Sequence, residues 1–213
     1  MRKMFKIKEI FKSIQGEGFH SGAKAVFLRF TGCNLWNGKT EYKKKALCNF
    51  CDTDFVGTDG NNGGIYEEKK LIERVEKVWN QSFSNDRKFI VLTGGEPMLQ
   101  VTESLVNKLK RLGYYVSIET NGSINSKIKF DWVCVSPKVN SMWNLKTGDE
   151  LKVVFPQSHF NLIQIKRLKF KYFFLQPMDG GKKQINTWNT INYCKSHKPW
   201  FPSFQLHKVL NIN

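Results

Sequence analysis

Cys33, Cys48 and Cys51 are the residues of this chain best suited to chemistry. Their spacing is C-x14-C-x2-C, and Thr93-Gly94-Gly95-Glu96-Pro97 follows downstream. Thiolates are ligands for soft metals, and two kinds of centre suit three of them. A cubane 4Fe-4S cluster is ordinarily held by four cysteines, so three would leave one iron without a protein ligand. Alternatively the three could bind zinc, with His20 or Cys134 completing the tetrahedron. Spacing alone does not separate these readings. Zinc sites usually come as two paired ligand elements, however, and no second pair is present. A Gly-Gly turn has no role in a zinc fold. It does suit an open iron, because a small molecule bound there could lie against bare backbone. A cluster is therefore the expected group.

The bulk composition is that of a globular chain. Its 213 residues, 40% hydrophobic, are enough for one domain, residues 1–213, with a sizeable core. The first eight residues are charged throughout and lack the apolar run of a signal peptide. No stretch reaches the roughly 18 apolar residues that a membrane span needs, so a cytoplasmic location is expected. Five cysteines is an odd number, which argues against a disulfide scaffold. Cys134 and Cys194 read as small buried hydrophobes. The net charge is +16, but the lysines are dispersed, with short clusters such as Lys43-Lys44-Lys45. Without a basic tail or a nucleic-acid fold signature, that charge reads as a solvated face. Such a face attracts anionic substrates or an acidic redox partner rather than a specific nucleic acid.

Positioning the cysteines is the task of six expected strands: Ala25 to Phe30, Lys88 to Leu92, Tyr114 to Glu119, Trp132 to Ser136, Glu150 to Phe155 and Lys171 to Gln176. Several are short apolar runs of the kind buried in parallel sheets. Helical spacing marks Glu67 to Trp79, and Thr102 can cap a second helix carrying Leu105, Val106, Leu109 and Leu112. Ser158 to Leu168 and Gln184 to Ser196 are weaker helical segments, and Gly57 to Gly64 reads as a flexible loop. The alternation implies an α/β fold: an incomplete, partly open parallel six-stranded barrel with reduced helix content. Chemistry in such sheets sits at the carboxyl ends of the strands. Cys33, Gly94, Asn121, Pro137 and Pro177 all follow expected strand ends and so should converge.

The chain resembles the 7-carboxy-7-deazaguanine synthase family of radical S-adenosylmethionine (SAM) enzymes. The resemblance rests on Ser13-Ile14-Gln15-Gly16-Glu17-Gly18, Phe27 to Leu35, Cys51-Asp52-Thr53 and Thr93 to Pro97. It continues through Glu119-Thr120-Asn121-Gly122, Ser136-Pro137-Lys138, Leu175 to Gly180 and Gln205-Leu206-His207-Lys208. Each stretch alone is unspecific; their order along nearly the whole chain is not. Most radical SAM enzymes space the cysteines C-x3-C-x2-C, and this family includes members with the long first gap. The family implies a lyase of queuosine-precursor biosynthesis that contracts 6-carboxy-5,6,7,8-tetrahydropterin to 7-carboxy-7-deazaguanine with loss of ammonia. The implied mechanism is hydrogen abstraction from the pterin C6 by a 5′-deoxyadenosyl radical, with SAM regenerated. Partners implied are a flavodoxin- or ferredoxin-type reductant and a second copy of the chain.

The resemblance also implies roles for particular residues. Cys33, Cys48 and Cys51 would hold the 4Fe-4S cluster. Phe50 would lie on the SAM adenine, and Gly95 would admit the SAM amino group. Ser136, Pro137, Lys138, Gln176, Pro177, Met178 and Asp179 would line the rest of the SAM pocket. Ile14, Gln15, Gly16 and Thr93 would contact the pterin, and Arg29 would grip its carboxylate; a structural ion pair of Arg29 with Glu17 or Glu119 is the alternative. Glu119 and Asn121 would position SAM or substrate. Thr53 would join a Mg2+ ion to the substrate, or else cap the following turn. The family pattern extends to a C-terminal carboxylate, here that of Asn213, where this chain ends in Leu210-Asn211-Ile212-Asn213 instead of proline. His207 suits either packing or the site. Two other functions fit parts of the chain: a radical SAM activase of a glycyl-radical partner protein, and a zinc-stabilised basic nucleic-acid-binding module.

Overall fold

All six expected strands form, and three more join them in one sheet. The computed structural model describes residues 3–80 and 87–212. The strands are β1 (Met4–Ile14), β2 (Lys24–Phe30), β3 (Gly64–Glu67), β4 (Phe89–Gly94), β5 (Tyr115–Thr120), β6 (Trp132–Val135), β7 (Thr147–Phe155), β8 (Lys169–Pro177) and β9 (Trp200–Pro202). Their order across the sheet is β3-β1-β2-β4-β5-β6-β7-β8-β9. From β2 to β9 every pairing is parallel, whereas β1 runs antiparallel to both β2 and β3.

The unexpected β1 is hidden in the sequence by its lysines and by a bulge. Register shifts between Ile7 and Glu9, so that Phe5, Ile7 and Ile10 are all buried despite an irregular spacing. Lys8, at the bulge, is itself buried. Its Nζ donates to Val56 O at 3.0 Å and reaches Asp54 and Asp59 at 2.8 Å. The segment 57–64 is therefore no free loop. Gly60 N donates to Lys8 O, Asn62 Nδ2 donates to Ile10 O, and the segment ends as β3.

Period-two alternation gives the sheet two unlike faces. Val26, Leu28, Phe30, Ile90, Leu92, Val116 and Ile118 face outward against α1 (Glu68–Asn80) and α2 (Glu103–Arg111). The other outward half, around Val135, Leu151, Val153, Phe173 and Leu175, is covered by α3 (Leu162–Ile165) and by Tyr193 and Cys194 of α4 (Lys183–Ser196). Cys194 thus sits in apolar surroundings, as expected. The weak helical segment from Ser158 to Leu168 contracts to α3, whose start Asn161 caps by accepting from Gln164 N.

On the inner face, Phe27, Phe89, Val91 and Tyr115 lie toward the amino ends of the strands. Phe19 closes that end, stacked 4.8 Å from Trp132 and tilted against Tyr172 at 4.2 Å. Toward the carboxyl ends the same face turns polar, with Arg29, Thr93, Glu119, Lys152 and Gln176.

Thr102 caps α2 as expected, accepting from Leu105 N at 3.2 Å. Thr102→Ala should lower stability by about 1 kcal/mol in urea unfolding; an unchanged midpoint would show that the cap contributes nothing.

Candidate active site

The carboxyl ends of the strands surround a cavity of about 420 Å³. Cys33, Cys48 and Cys51 all border it, the first from the loop after β2 and the others from a short turn beyond an exposed 3-10 helix, Thr40–Lys45. Leu35 N donates to Cys33 Sγ at 3.4 Å, and burial pushes the Cys33 thiol up. Cys48 and Cys51 share a hydrogen bond, which raises Cys48 and lowers Cys51 to about 6. Among the described residues, no three His, Cys, Asp or Glu side chains converge as a single-ion site requires. Three thiols bordering one cavity, two of them hydrogen-bonded to each other, fit the donor set of an iron–sulfur cluster. The candidates to complete a zinc site lie elsewhere. His20 is ringed by Phe89, Tyr115 and Trp132, and Cys134 donates to Glu150 at 3.6 Å.

The Gly-Gly turn is shaped by backbone crowding. Gly94 has φ of 139°, and a Cβ there would fall 2.2 Å from Phe30 O. A Cβ on Gly95 would fall 2.2 Å from Gly32 O and 2.8 Å from Cys33 Cβ. Glycine therefore lets the end of β4 close against the cysteine loop. Glu96, fully buried, ties that end to the next strand by accepting from Met98 N, Thr120 Oγ1 and Asn121 N at 2.8–2.9 Å. Asn121 Nδ2 in turn donates to Asn34 Oδ1 in the cysteine loop. Phe50, Ser136, Lys138, Gln176, Pro177 and Asp179 also line the cavity, with Lys138 Nζ held on Ser136. Pro137 and Met178 are not among the lining residues. Met178 N donates to Phe155 O, and its own carbonyl accepts from Asn186.

Ile14, Gln15, Gly16, Arg29 and Thr93 line the same cavity. Arg29 is indeed ion-paired, but with Glu9 of β1, whose Oε1 accepts from Nε at 2.7 Å, rather than with Glu17 or Glu119. The register sets this directly, since Glu9 lies opposite Arg29. Thr53 borders the cavity, and the turn it could have capped is capped by Asp54, which accepts from Val56 N. Asn213 lies outside the described residues.

Several residues of the site carry no role in the sequence reading. Lys152, 4% exposed, ion-pairs with Glu17 and, at 3.3 Å, with Glu119. Burial works against its charge, but the two carboxylates outweigh it and raise its pKa well above the usual lysine value. Its alternation with outward Leu151 and Val153 was the available signal, because a buried cation needs partners. From α5 (Leu206–Leu210), Lys208 bridges Asp52 and Asp179, while Gln205 Nε2 donates to both Glu17 and Asp52 at 3.0 Å. His207 packs on Gly16, where a Cβ would meet its Nδ1 at 2.6 Å.

Fold and site together define an α/β enzyme of the partly open barrel class, with a thiol centre at the carboxyl ends of its strands. No family model matches the chain. It is 47% identical over 209 residues to the 7-carboxy-7-deazaguanine synthase of Burkholderia multivorans and 46% identical over 209 residues to that of Bradyrhizobium diazoefficiens. Each alignment covers 98% of this chain and 99% of the relative. The fold matches the crystal structure of QueE from Escherichia coli with a TM-score of 0.69 at 23% identity, over 95% of this chain and 94% of that one. The chain belongs to the 7-carboxy-7-deazaguanine synthase family.

Burial pushes the Glu96 carboxyl above its ordinary value, although its three hydrogen bonds oppose this. A raised acid favours the folded state less as pH rises from the ordinary carboxylate value through the folded one. Glu96→Gln sets an amide N–H against a backbone or hydroxyl donor. It should cost about 2 kcal/mol and abolish that downward slope. Urea midpoints from pH 4 to 8 that match the parent would refute this reading.

Proposed function

We propose that the chain is a 7-carboxy-7-deazaguanine synthase: a lyase that converts 6-carboxy-5,6,7,8-tetrahydropterin to 7-carboxy-7-deazaguanine with loss of ammonia. The observation that carries this is the meeting, in one cavity, of Cys33, Cys48, Cys51 and Gly95 with Arg29 and Thr93, in a chain 47% identical over 209 residues to a named synthase. Cys33, Cys48 and Cys51 would hold a 4Fe-4S cluster, and the lining residues Phe50, Gly95, Ser136, Lys138, Gln176, Pro177 and Asp179 would hold SAM, with Pro137 and Met178 only flanking them in sequence. When bound, these groups supply one-electron chemistry that generates a carbon radical. The chain's own contribution is placement. Glu9 fixes the Arg29 guanidinium through Nε, leaving the Nη groups to grip the substrate carboxylate bidentately. Thr93 adds a hydroxyl one strand away, and Ile14, Gln15 and Gly16 border the rest of the pterin. We read the chain as one cytoplasmic domain, pairing with a second copy and reduced by a flavodoxin- or ferredoxin-type protein. None of the described helices is long and apolar enough to cross a membrane.

The direct test is anaerobic reconstitution with iron and sulfide, then incubation with SAM, reductant and the carboxy-tetrahydropterin. Appearance of the deazaguanine product supports the proposal; SAM cleavage without it points to another radical enzyme, such as a glycyl-radical activase. Cys33→Ala, Cys48→Ala or Cys51→Ala should each abolish the cluster absorbance and all SAM cleavage, whereas Cys134→Ala and Cys194→Ala should leave iron content intact.

Thr53 is proposed as the one protein ligand of a Mg2+ ion otherwise held by substrate and water. Its support is a side chain on the cavity wall while Asp54 caps the turn. Thr53→Ala should lower turnover by at least about tenfold with cluster content unchanged, and Thr53→Ser should retain most of it. Equal activity of the alanine variant across a Mg2+ titration would remove the metal from this position.

A further inference from the structure

The strongest unexplained feature of the cavity is a buried cation serving two carboxylates that belong to different elements. Lys152 stands on the inner face of β7. Glu17 comes from the turn after β1, and Glu119 from the carboxyl end of β5. Glu17 has three of its roughly four acceptor positions taken, its Oε1 by Gln176 and Gln205 and its Oε2 by Lys152. Glu119 has fewer taken: one oxygen accepts from Gln15 at 2.9 Å and the other from Lys152 at 3.3 Å, so lone pairs remain. Beside them the buried Oε1 of Gln176 has no hydrogen-bond partner among the described residues. This part of the wall is thus rich in acceptors and calls for a ligand edge made of donors.

The register supplies the direction of such a ligand. Arg29 of β2 lies opposite Thr93 of β4, and Leu92 lies opposite Ile118, which sets Thr93 beside Glu119. Arg29 and Glu119 are therefore two strand spacings apart, about 10 Å. A bicyclic carboxypterin has an anionic end and a donor-rich aminopyrimidinone end separated by roughly that span. With its carboxylate on Arg29, its N–H groups point to Glu119.

We propose that Lys152 is a positioning residue for this substrate, holding Glu17 and Glu119 side by side as carboxylates so that Glu119 offers a fixed charged acceptor to the aminopyrimidinone edge. The inference rests on the function proposed above. Without the lysine, two carboxylates would share one corner of the cavity with no cation between them, and the pair would hold on to a shared proton. Among the described residues, no other cation beside the pair is free to take its place. Lys208 is engaged by Asp52 and Asp179, His207 is half-buried with its protonated form disfavoured by burial, and Glu150 and Cys134 beneath add no positive charge. A purely structural ion network would instead be replaceable only as a whole by apolar side chains, and losing the lysine alone would weaken the fold without making substrate affinity depend on pH.

The test compares Lys152→Met, Lys152→Arg and the double variant Glu17→Gln/Lys152→Met with the parent, each reconstituted anaerobically. Binding of the carboxy-tetrahydropterin is measured by calorimetry from pH 6 to 9. The parent should bind with little dependence on pH. Lys152→Met should bind about tenfold to a hundredfold more weakly at pH 6, and affinity should recover as pH rises and the retained proton leaves. Lys152→Arg should stay near the parent. The double variant, with a single carboxylate left, should return to a flat profile, and it keeps the test open if Lys152→Met folds poorly. Parent-like affinity in Lys152→Met, or a loss independent of pH in both methionine variants, would overturn the proposal. Failure of the parent itself to bind the pterin would overturn the function on which it rests.

Discussion

The close approach of two backbones, at the ends of β2 and β4, is the constraint on which the site depends. Gly95 N donates to Phe30 O and Glu96 N to Gly32 O, and no side chain fits between them. That contact fixes where the chain leaves β2, and therefore where Cys33 begins. It also fixes Glu96, whose buried carboxylate draws in the end of β5. Through Asn121 and Asn34 the end of β5 is tied back to the cysteine loop. A short cycle of hydrogen bonds thus locks three successive crossover ends around the thiols.

The inner face divides its work by height. Toward the amino ends, aromatic rings from β6, β8 and the turn at Phe19 fill the space, and Glu150 satisfies the Phe19 amide and the Trp132 indole. Burial pushes Glu150 above the usual carboxylate range. A few residues higher, the same alternation delivers Lys152 with Glu17 and Glu119 as partners. Lys152 and Glu150 belong to one strand and point the same way, yet one lies in an ion network and the other in an aromatic floor. The difference is set by what the first turn of the chain places opposite each.

Much of this was legible in the sequence, and the failures share a cause. The six parallel strands announce themselves as apolar runs, and Thr102 marks a helix start because its cap is a local interaction. The residues bordering the cavity follow strand ends, so topology alone gathers them. What escaped was β1, where lysines and a bulge disguise the alternation. Missing that strand hid Glu9, and so the Arg29 ion pair was sought at Glu17 and Glu119. Those carboxylates belong to Lys152, whose burial depends on pairings between elements remote in sequence. Local patterning cannot reveal them, and the same holds for the contacts of Gln205 and Lys208.

The seam between the start and the end of the chain has a temporal meaning. Leu206 N donates to Gly16 O, Gly18 N donates to Ser203 Oγ, and Gln205 reaches Glu17. These contacts join residues separated by nearly the whole sequence. Strands β1 to β8 can pair in turn as a ribosome delivers them, but this wall of the cavity stays unfinished until residues 203–208 have cleared the exit tunnel. Such long-range closure is slow relative to local pairing. A nascent chain would therefore carry its cysteines on a scaffold already formed yet still open on one side, and the opening would close only once residues 203–208 emerge.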